Sequence, residues 1–359
     1  MRIRERYILM IGLIFSLGSC EPENVEHKKF EKSTGVFILN EGNFTFGNAS
    51  LSFLDLTSGQ LENQVFFQAN GFPLGDVAYS MTIMDSTAFI SINNSGKVFV
   101  MNTHTFSHLG TISGLTSPRY IQIISEQKAY ISDLYSTAIQ IFNPTTHTLS
   151  GTIETNHSTE QMVLWNDYVF VTCWSFGDIV LKIDTQTDQV VHSVQVAMQP
   201  NSMVLDKNNN LWVLSDGGFE GSPKGVDFPA LIKVDPGSME ILKEFTFSSK
   251  AGSPNNLVIN GGGDSLYFLY GSWAGENGFT SGVYQMPINS GTLPAEAFIP
   301  EKNHRFYRLG IDPVQSNIYV SDALDYMQKG YVFRYDHTGL IIDSLKADRI
   351  PGYFAFLKE

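Results

Sequence analysis

The chain has 359 residues, with 36 acidic and 23 basic side chains and a formal net charge of −13. This excess of negative charge disfavours nucleic acid and anionic membrane surfaces as partners. The sequence has two cysteines, Cys20 and Cys173, which are too few for a disulfide framework or for a metal site built from cysteines.

The first nineteen residues have the features of a signal peptide. Three arginines within the first six residues precede an apolar run from residue 7 to 17, which is too short to span a bilayer as a mature helix. Leu-Gly-Ser-Cys at 17–20 resembles a bacterial lipobox, which implies cleavage before Cys20 and its lipidation; an ordinary secretory signal with an incidental cysteine is the alternative. Residues 20–34 are expected to form a solvated tether, and its acidic residues resemble the surface-export signal of Bacteroidetes lipoproteins.

Seven short apolar runs carry an aromatic residue at the same place, and successive copies lie 40 to 55 residues apart. This spacing is typical of the blades of a four-stranded β-propeller. A second strand follows each aromatic strand and ends in Asp or Asn before a tight turn, except in the sixth unit, where Pro287 takes that place. We therefore predict an all-β fold, a seven-bladed β-propeller with four-stranded blades. The aromatic residues are Phe37, Phe89, Tyr130, Phe170, Trp212, Tyr267 and Tyr319, and the strand-ending residues are Asp55, Asn102, Asn143, Asp184, Asp235 and Asp336.

A further apolar run precedes the aromatic strand in six of the seven units and is expected to form the innermost strand. The first unit lacks such a run, whereas a matching segment, residues 352–357, follows the last complete unit. We therefore expect the C-terminal strand to complete the first blade, so that residues 35–359 form one closed domain without an open sheet edge. The innermost runs are 79–84, 119–124, 160–165, 201–206, 255–260 and 306–311, and outer strands are expected near 65–68, 109–113, 151–155 and 244–248.

The connections between strands differ in length at the two faces of the predicted propeller. One face has short turns, such as 85–86 and 166–167, whereas the other carries the long loops 40–50, 67–79, 215–229, 270–281 and 322–330. Long irregular loops in a compact domain usually serve function or are disordered. The binding site is therefore expected at the mouth of the central channel on the long-loop face.

These loops are rich in aromatic residues, amides and glycine, which suits a bulky, partly apolar ligand with polar edges. The alternative for each ring is that it plugs the channel or packs between loops. Arg119, Arg305 and Arg308 lie at or just before innermost strands, where they would pair with phosphate or amide oxygens of a ligand or with nearby carboxylates. The candidate ligand-binding residues are Asn43, Phe44, Phe46, Phe72, Arg119, Tyr135, Trp174, Phe176, Phe219, Trp273, Arg305 and Tyr326.

Signals for catalysis are weak. The carboxylates on the long-loop face would suit a divalent cation, as in propeller lactonases, but no His or Glu recurs at a fixed offset, and most of them are expected to be solvated or to cap turns. No Ser-His-Asp order, phosphate-binding loop or zinc spacing is present. We therefore predict no enzymatic activity, no cofactor and no metal site. The carboxylates in question are Glu41, Asp76, Asp133, Asp178, Asp216, Asp227, Glu276, Asp322 and Asp325.

The segment FILNEGNF at 37–44, followed by GNASLS at 47–52, resembles the opening blade of Bacteroidetes surface lipoproteins with seven-bladed, YncE-like propellers. The resemblance covers essentially the whole mature chain, and it includes the lipobox and the blade pattern. Its best understood members are similar to BtuG-type lipoproteins, which bind vitamin B12 and cap a TonB-dependent outer-membrane transporter.

The resemblance implies three properties. The location would be the outer membrane, lipid-anchored and facing the exterior; the ligand would be a corrinoid or another large nutrient; and the partner would be a TonB-dependent transporter. Two other interpretations stay open: a protein-interaction or surface-layer propeller, and a more distant metal-dependent, lactonase-like hydrolase.

Overall fold

Seven four-stranded antiparallel sheets make up the computed structural model, each sheet forming one blade. The structure describes residues 34–273 and 279–357, with backbone only for Trp273, Phe279 and Thr280. The predicted all-β, seven-bladed propeller is therefore confirmed.

The strands are numbered in chain order, and every blade is built from four of them. Blades 1 to 3 use β1 (Gly35–Asn40), β2 (Ser50–Asp55), β3 (Leu61–Glu62), β4 (Ala78–Met84), β5 (Thr87–Ile92), β6 (Lys97–Asn102), β7 (His108–Ile112), β8 (Pro118–Ser125), β9 (Lys128–Asp133), β10 (Ala138–Asn143) and β11 (Thr148–Glu154). Blades 4 and 5 use β12 (Met162–Trp165), β13 (Tyr168–Cys173), β14 (Ile179–Asp184), β15 (Gln189–Gln195), β16 (Pro200–Leu205), β17 (Leu211–Ser215), β18 (Ala230–Val234) and β19 (Ile241–Thr246). Blades 6 and 7 use β20 (Asn255–Ile259), β21 (Ser265–Trp273), β22 (Phe279–Pro287), β23 (Ile299–Pro300), β24 (Phe306–Ile311), β25 (Ile318–Asp322), β26 (Lys329–Tyr335) and β27 (Ile341–Arg349).

The last strand, β28 (Pro351–Leu357), is the innermost strand of blade 1 and pairs antiparallel with β1 along its whole length, Gly35 opposite Leu357 and Asn40 opposite Pro351. The first blade thus joins the two ends of the ring, as expected. Each innermost strand runs from the long-loop face to the short-loop face, so its first residues lie at the mouth of the channel.

The seven repeated aromatics lie in the second strand of each blade and are 0–2% exposed. They pack between blades: the ring of Phe89 lies 5.5 Å from that of Phe142 in blade 3, and the ring of Tyr319 lies 5.9 Å from that of Phe354 in blade 1. These residues are therefore scaffold, since their burial holds neighbouring sheets together.

The repeated Asp and Asn residues at the ends of third strands accept backbone hydrogen bonds in the following turn. Asp55 Oδ1 accepts the amides of Thr57 and Ser58, and Asn102 Oδ1 accepts those of His104 and Thr105. Such Asx turns satisfy amides that a strand end would otherwise leave without a partner. The repeated pattern is thus explained by turn formation.

One expected outer strand is wrong, because residues 65–68 lie in helix α1 (Val65–Asn70) and the outer strand of blade 1 is the two-residue β3. Val65 and Phe66 are buried, whereas Phe67 is 48% exposed, and Gly71 ends the helix at a φ of 76° with its N–H bonded to the Phe67 carbonyl. A left-handed residue of this kind is the usual stop of a helix. No helix in the described ranges has the length and hydropathy needed to cross a bilayer.

Candidate functional site

The innermost strands are irregular where they begin, at the mouth of the channel. In β4, β8, β16, β20 and β24 the pairing with the second strand skips one or two residues, and Gly352 of β28 is skipped in the pairing with β1. Bulges of this kind re-aim side chains and are frequent beside functional sites. The skipped residues are Tyr79, Arg119, Tyr120, Asn201, Asn256, Leu257, Tyr307, Arg308 and Gly352.

Most of the re-aimed side chains border two adjoining hollows on the channel axis. The mouth hollow, about 270 Å³, lies at the long-loop face, and the axial cavity, about 260 Å³, lies directly below it. Tyr79, Tyr120 and Arg308 are among the residues that border both. The mouth hollow is also lined by Arg119, Glu160, Trp174, Asn201, Ser202, Asp216, Asn255 and Asn256.

Arg119 is held in a buried network that spans three blades. Its guanidinium forms two hydrogen bonds with Glu160, 2.8 Å to Oε2 and 2.9 Å to Oε1, and donates to the Tyr79 hydroxyl at 2.6 Å. That hydroxyl donates to Glu160 at 2.6 Å, and burial raises the pKa of Tyr79, which keeps it protonated. Because Glu160 occupies the fork of the guanidinium, Arg119 shapes the wall rather than offering a free cation.

Trp174 forms part of the same wall. Its indole N–H donates to Asp216 Oδ2 at 2.9 Å, and the Arg119 guanidinium lies 6.0 Å from its ring. Asp216 Oδ1 accepts the backbone amide of Gly218, and burial raises the pKa of the Asp216 carboxyl. Two predicted residues, Arg119 of an innermost strand and Trp174 of a loop, are thus brought together here.

A second cationic group lies across the mouth, on blade 7. Arg308 Nε donates to the Gly352 carbonyl at 3.0 Å, and Nη2 lies 3.3 Å from Glu41 Oε1. The Tyr307 hydroxyl also contacts Glu41, 3.0 Å from Oε1 and 2.9 Å from Oε2. Blades 1 and 7 therefore meet in one polar cluster at the mouth.

Five predicted aromatics form an exposed rim on the loops around the hollow. Phe44, Phe46 and Tyr135 are 66%, 68% and 76% exposed, and the rings of Phe176 and Phe219, from blades 4 and 5, lie 6.3 Å apart. None of the five borders the mouth hollow. They are available to a ligand or partner larger than the hollow itself.

Asn43 and Tyr326 contact each other and tie the loops of blades 1 and 7. The side-chain amide of Asn43 donates to the Tyr326 carbonyl at 2.5 Å, and the Tyr326 ring packs edge-on against Tyr307. Phe72, by contrast, packs against Phe66, Phe99 and His108 among the outer strands. Its expected position at the mouth is wrong, since Val65–Asn70 forms a helix that carries the following loop outward.

Arg305 lies in a separate hollow of about 640 Å³ between blades 6 and 7, together with Glu301, His304 and Tyr326. His304 Nδ1 lies 3.1 Å from Asp322 Oδ2, and burial raises the pKa of Glu301. Arg305 itself is exposed and forms no ion pair with the residues that the structure describes. The side chain of Trp273, as well as Glu276 and Cys20, lies outside the described residues.

Several carboxylates of the long-loop face cap turns, as expected. Asp133 accepts four backbone amides, and Asp325 accepts those of Met327 and Gln328, which with the Gln328 side chain lower its pKa to about 2. Within the described ranges no group of three or more His, Cys, Asp or Glu is placed to hold a metal ion.

Sequence reasoning missed several mouth residues, among them Tyr79, Tyr120, Glu160, Tyr307 and Tyr353. Each lies within the first three residues of an innermost strand or just before it. Aligning the seven innermost runs would have located the mouth positions, but the pairing shifts that aim these side chains have no simple sequence signature.

Comparison with solved structures finds the same fold in proteins of low sequence identity. A quinonprotein alcohol dehydrogenase-like protein from Bacteroides thetaiotaomicron is 12% identical with a TM-score of 0.68, over 90% of this chain and 78% of that one. A protein from Lactobacillus plantarum is 12% identical with a TM-score of 0.67, over 91% and 100%. A putative 6-phosphogluconolactonase from Bacteroides fragilis is 14% identical with a TM-score of 0.59, over 94% and 100%.

At these identities the likeness concerns the fold alone, that of YncE-like and lactonase-like propellers. No curated protein matches the sequence. The model of the family described as "Domain of unknown function (DUF5074)" matches residues 34–350, and the chain belongs to that family.

Proposed function

We propose that this protein is a surface lipoprotein of the outer membrane that binds a large solute at the channel mouth, with vitamin B12 or another corrinoid as the best candidate. The solute then passes to a TonB-dependent transporter. The observation that carries the proposal is the mouth hollow, walled by Trp174 and surrounded by an exposed aromatic rim. No catalytic step is part of the proposal.

The chemistry of the mouth suits a broad ligand with amide edges. Asn201, Asn255 and Asn256 border the hollow, and their side chains both donate and accept hydrogen bonds. The rim of Phe44, Tyr135 and the other rings adds apolar contact area outside it. A corrinoid offers complementary features, since its macrocycle is wide and partly apolar and its periphery carries amides.

The start of the described chain supports capture from the outside. Thr34 precedes β1 at the short-loop face, opposite the mouth. With a lipid on Cys20, thirteen residues, 21–33, would separate the anchor from Thr34. The fourteen residue steps of such a tether reach at most about 50 Å. Strands of six to nine residues are about 20–30 Å long, so such a tether would also let the propeller turn its mouth toward a transporter in the same membrane.

Calorimetric titration with cyanocobalamin tests the proposal, with co-elution of the red chromophore in size-exclusion chromatography as a second measurement. If Trp174 is an anchor, Trp174→Ala should weaken binding by about 1–3 kcal/mol. Trp165→Ala is the matched control, because Trp165 ends β12 at the opposite face and should leave the affinity unchanged. Absence of both heat and co-elution would reject the corrinoid.

A protein-interaction propeller is the second candidate, and the exposed rim favours it. Phe44, Phe46 and Tyr135 lie outside the mouth hollow, and large exposed rings in clusters are typical of protein contacts. If cyanocobalamin binds but the Phe44→Ser, Phe46→Ser double variant binds it equally well, these rings serve a macromolecular partner instead.

A further inference from the structure

The lining of the axial cavity changes from polar near the mouth to apolar farther down. Tyr120, Tyr353 and Arg308 border its upper part, where the innermost strands begin, whereas Ile259, Ile311 and Phe356 border it near the strand ends. At about 260 Å³ it is large enough for a small ring but not for a macrocycle. A ligand with one polar end and one apolar end would therefore match this gradient.

Arg308 is the charged group at the polar end, and most of its hydrogen-bonding capacity is unused. A guanidinium carries five N–H donors. Arg308 uses one on the Gly352 carbonyl and one on Glu41, and its other donors contact no acceptor among the residues that the structure describes. Its side chain is 23% exposed, facing the two hollows that it borders. The buried fork of Arg119, in contrast, is filled by Glu160.

Glu41 leaves Arg308 only partly neutralised. Its one contact with the guanidinium is 3.3 Å long, while both its oxygens also face the Tyr307 hydroxyl. Gly352 makes room for this arrangement, because a Cβ at that position would lie 2.4 Å from Glu41 Cγ and Oε1. The carboxylate is thus held beside Arg308 rather than across its fork.

We infer that Arg308 anchors the oxyanion of a small carboxylate or phosphate compound whose apolar body enters the axial cavity. The free donors suit an oxyanion, which pairs with guanidinium through two parallel hydrogen bonds. The apolar body would lie against Ile259, Ile311 and Phe356. Such a site takes a ligand of another class than a corrinoid and does not depend on one.

Three probes of similar shape test the site: benzoate, phenyl phosphate and the neutral benzyl alcohol, each titrated calorimetrically. At least one of the two anions should bind about tenfold more tightly than benzyl alcohol, since hydrogen bonds to charged groups are worth more than neutral ones, and the tighter anion identifies the preferred head group. Arg308→Gln should abolish the difference. Arg349→Gln should preserve it, because Arg349 is a partly exposed arginine of the same face that pairs with Asp348 and borders neither hollow.

Glu41→Gln gives an independent test, because removal of the competing carboxylate should tighten anion binding about two- to fivefold. It also keeps the idea testable should Arg308→Gln fail to fold, as its melting curve would show. Equal affinity for benzyl alcohol and both anions, an unchanged anion affinity in Arg308→Gln, weaker binding in Glu41→Gln, or no binding of any probe would each overturn the site. None of these outcomes bears on cyanocobalamin at the mouth.

Discussion

Removal of residues 352–359 should open the propeller, because β28 is the strand that pairs the C-terminal end of the chain with β1 in the first blade. β28 pairs with β1 over all six residues of that strand. Without it, β1 becomes an unpaired innermost edge, and such edges promote aggregation. We expect the shortened protein to be strongly destabilised and to form oligomers.

The size of the loss can be worked from the buried side chains of the strand. Phe354 and Leu357 are 8% and 7% exposed, and Phe354 packs against Tyr319 of blade 7. Burial of a Phe or Leu contributes about 1.5–3 kcal/mol each, so these two alone account for about 3–6 kcal/mol, a large part of a total stability of about 5–15 kcal/mol. For a domain of this length the melting temperature should fall by about 4–9 °C from these contacts, with the lost strand pairing in addition.

Calorimetric melting and size-exclusion chromatography of the shortened and complete proteins measure this effect. Phe354→Ala should lower the melting temperature less than the truncation does. Phe176→Ala, at a half-exposed ring on the mouth rim, is its control. A shortened protein that stays monomeric with an unchanged melting temperature would refute the role of the C-terminal strand as the clasp of the ring.

Three further outcomes follow from buried groups. Glu160→Gln leaves the Arg119 cation buried without its charged partner and should lower the free energy of unfolding, measured by thermal unfolding, by about 3–5 kcal/mol. Asp264→Asn is the control, because it alters a half-exposed ion pair and should leave the melting curve unchanged. Because burial raises the pKa of Asp216 above its ordinary 3.8, its contribution to the free energy of unfolding should fall as the pH rises through that shifted pKa. Denaturant titrations of the protein and of Asp216→Asn at about pH 4 and pH 7 measure this contribution. Relative to the variant, the protein should lose free energy of unfolding between pH 4 and pH 7; no change would contradict the linkage, and a gain would contradict its sign. Burial raises the pKa of the Cys173 thiol to about 12, so a thiol reagent at neutral pH should modify Cys173 only after denaturation, as peptide mass spectrometry would detect.

The scaffold could be predicted because its requirements repeat. In each blade a buried ring, such as Phe89 or Tyr319, packs against the neighbouring sheet. A side-chain acceptor, such as Asp55 or Asn102, binds the backbone amides of the turn after the third strand. Seven copies of the aromatic residue and six of the Asp or Asn outweigh the ambiguity of any one copy. The strand predicted at residues 65–68 was wrong because no repeated residue marked it. An apolar run of four residues alone is compatible with a strand or a helix.

The site was predicted less well, because it depends on pairing rather than on residue type. The long loops indicated the correct face, but Phe72 follows helix α1 away from the mouth and Asn43 is used between loops. Whether Arg119 is free or paired depends on Glu160, which lies 41 residues later in the next blade. Such contacts arise only after the blades are arranged around an axis, so local sequence does not encode them visibly.

The channel wall explains why the mouth can hold so many large polar side chains. The innermost strands have an inner edge whose backbone groups need partners, and small side chains of neighbouring blades supply several of them. Ser80 donates to the Arg119 carbonyl at 2.5 Å, Thr82 to the Ile121 carbonyl at 2.8 Å, and the Leu257 amide donates to Ser202 at 2.9 Å.

Hydroxyls from the adjacent blade form hydrogen bonds with the backbone groups of the inner edge. The larger side chains at the bulges are therefore not needed as partners for these groups. Tyr120, Arg308 and Asn256 can then face the axis, where a ligand would meet them. These roles predict different effects of mutation. Ser80→Ala should lower stability, since it removes one of the two buried hydroxyls, with Ser91, that donate to the Arg119 carbonyl. Asn256→Asp keeps a residue type that tolerates the positive φ of 56° at this position, and it should alter binding more than stability. A Ser80→Ala variant with an unchanged melting temperature would show that the hydroxyls of neighbouring blades do not support the wall.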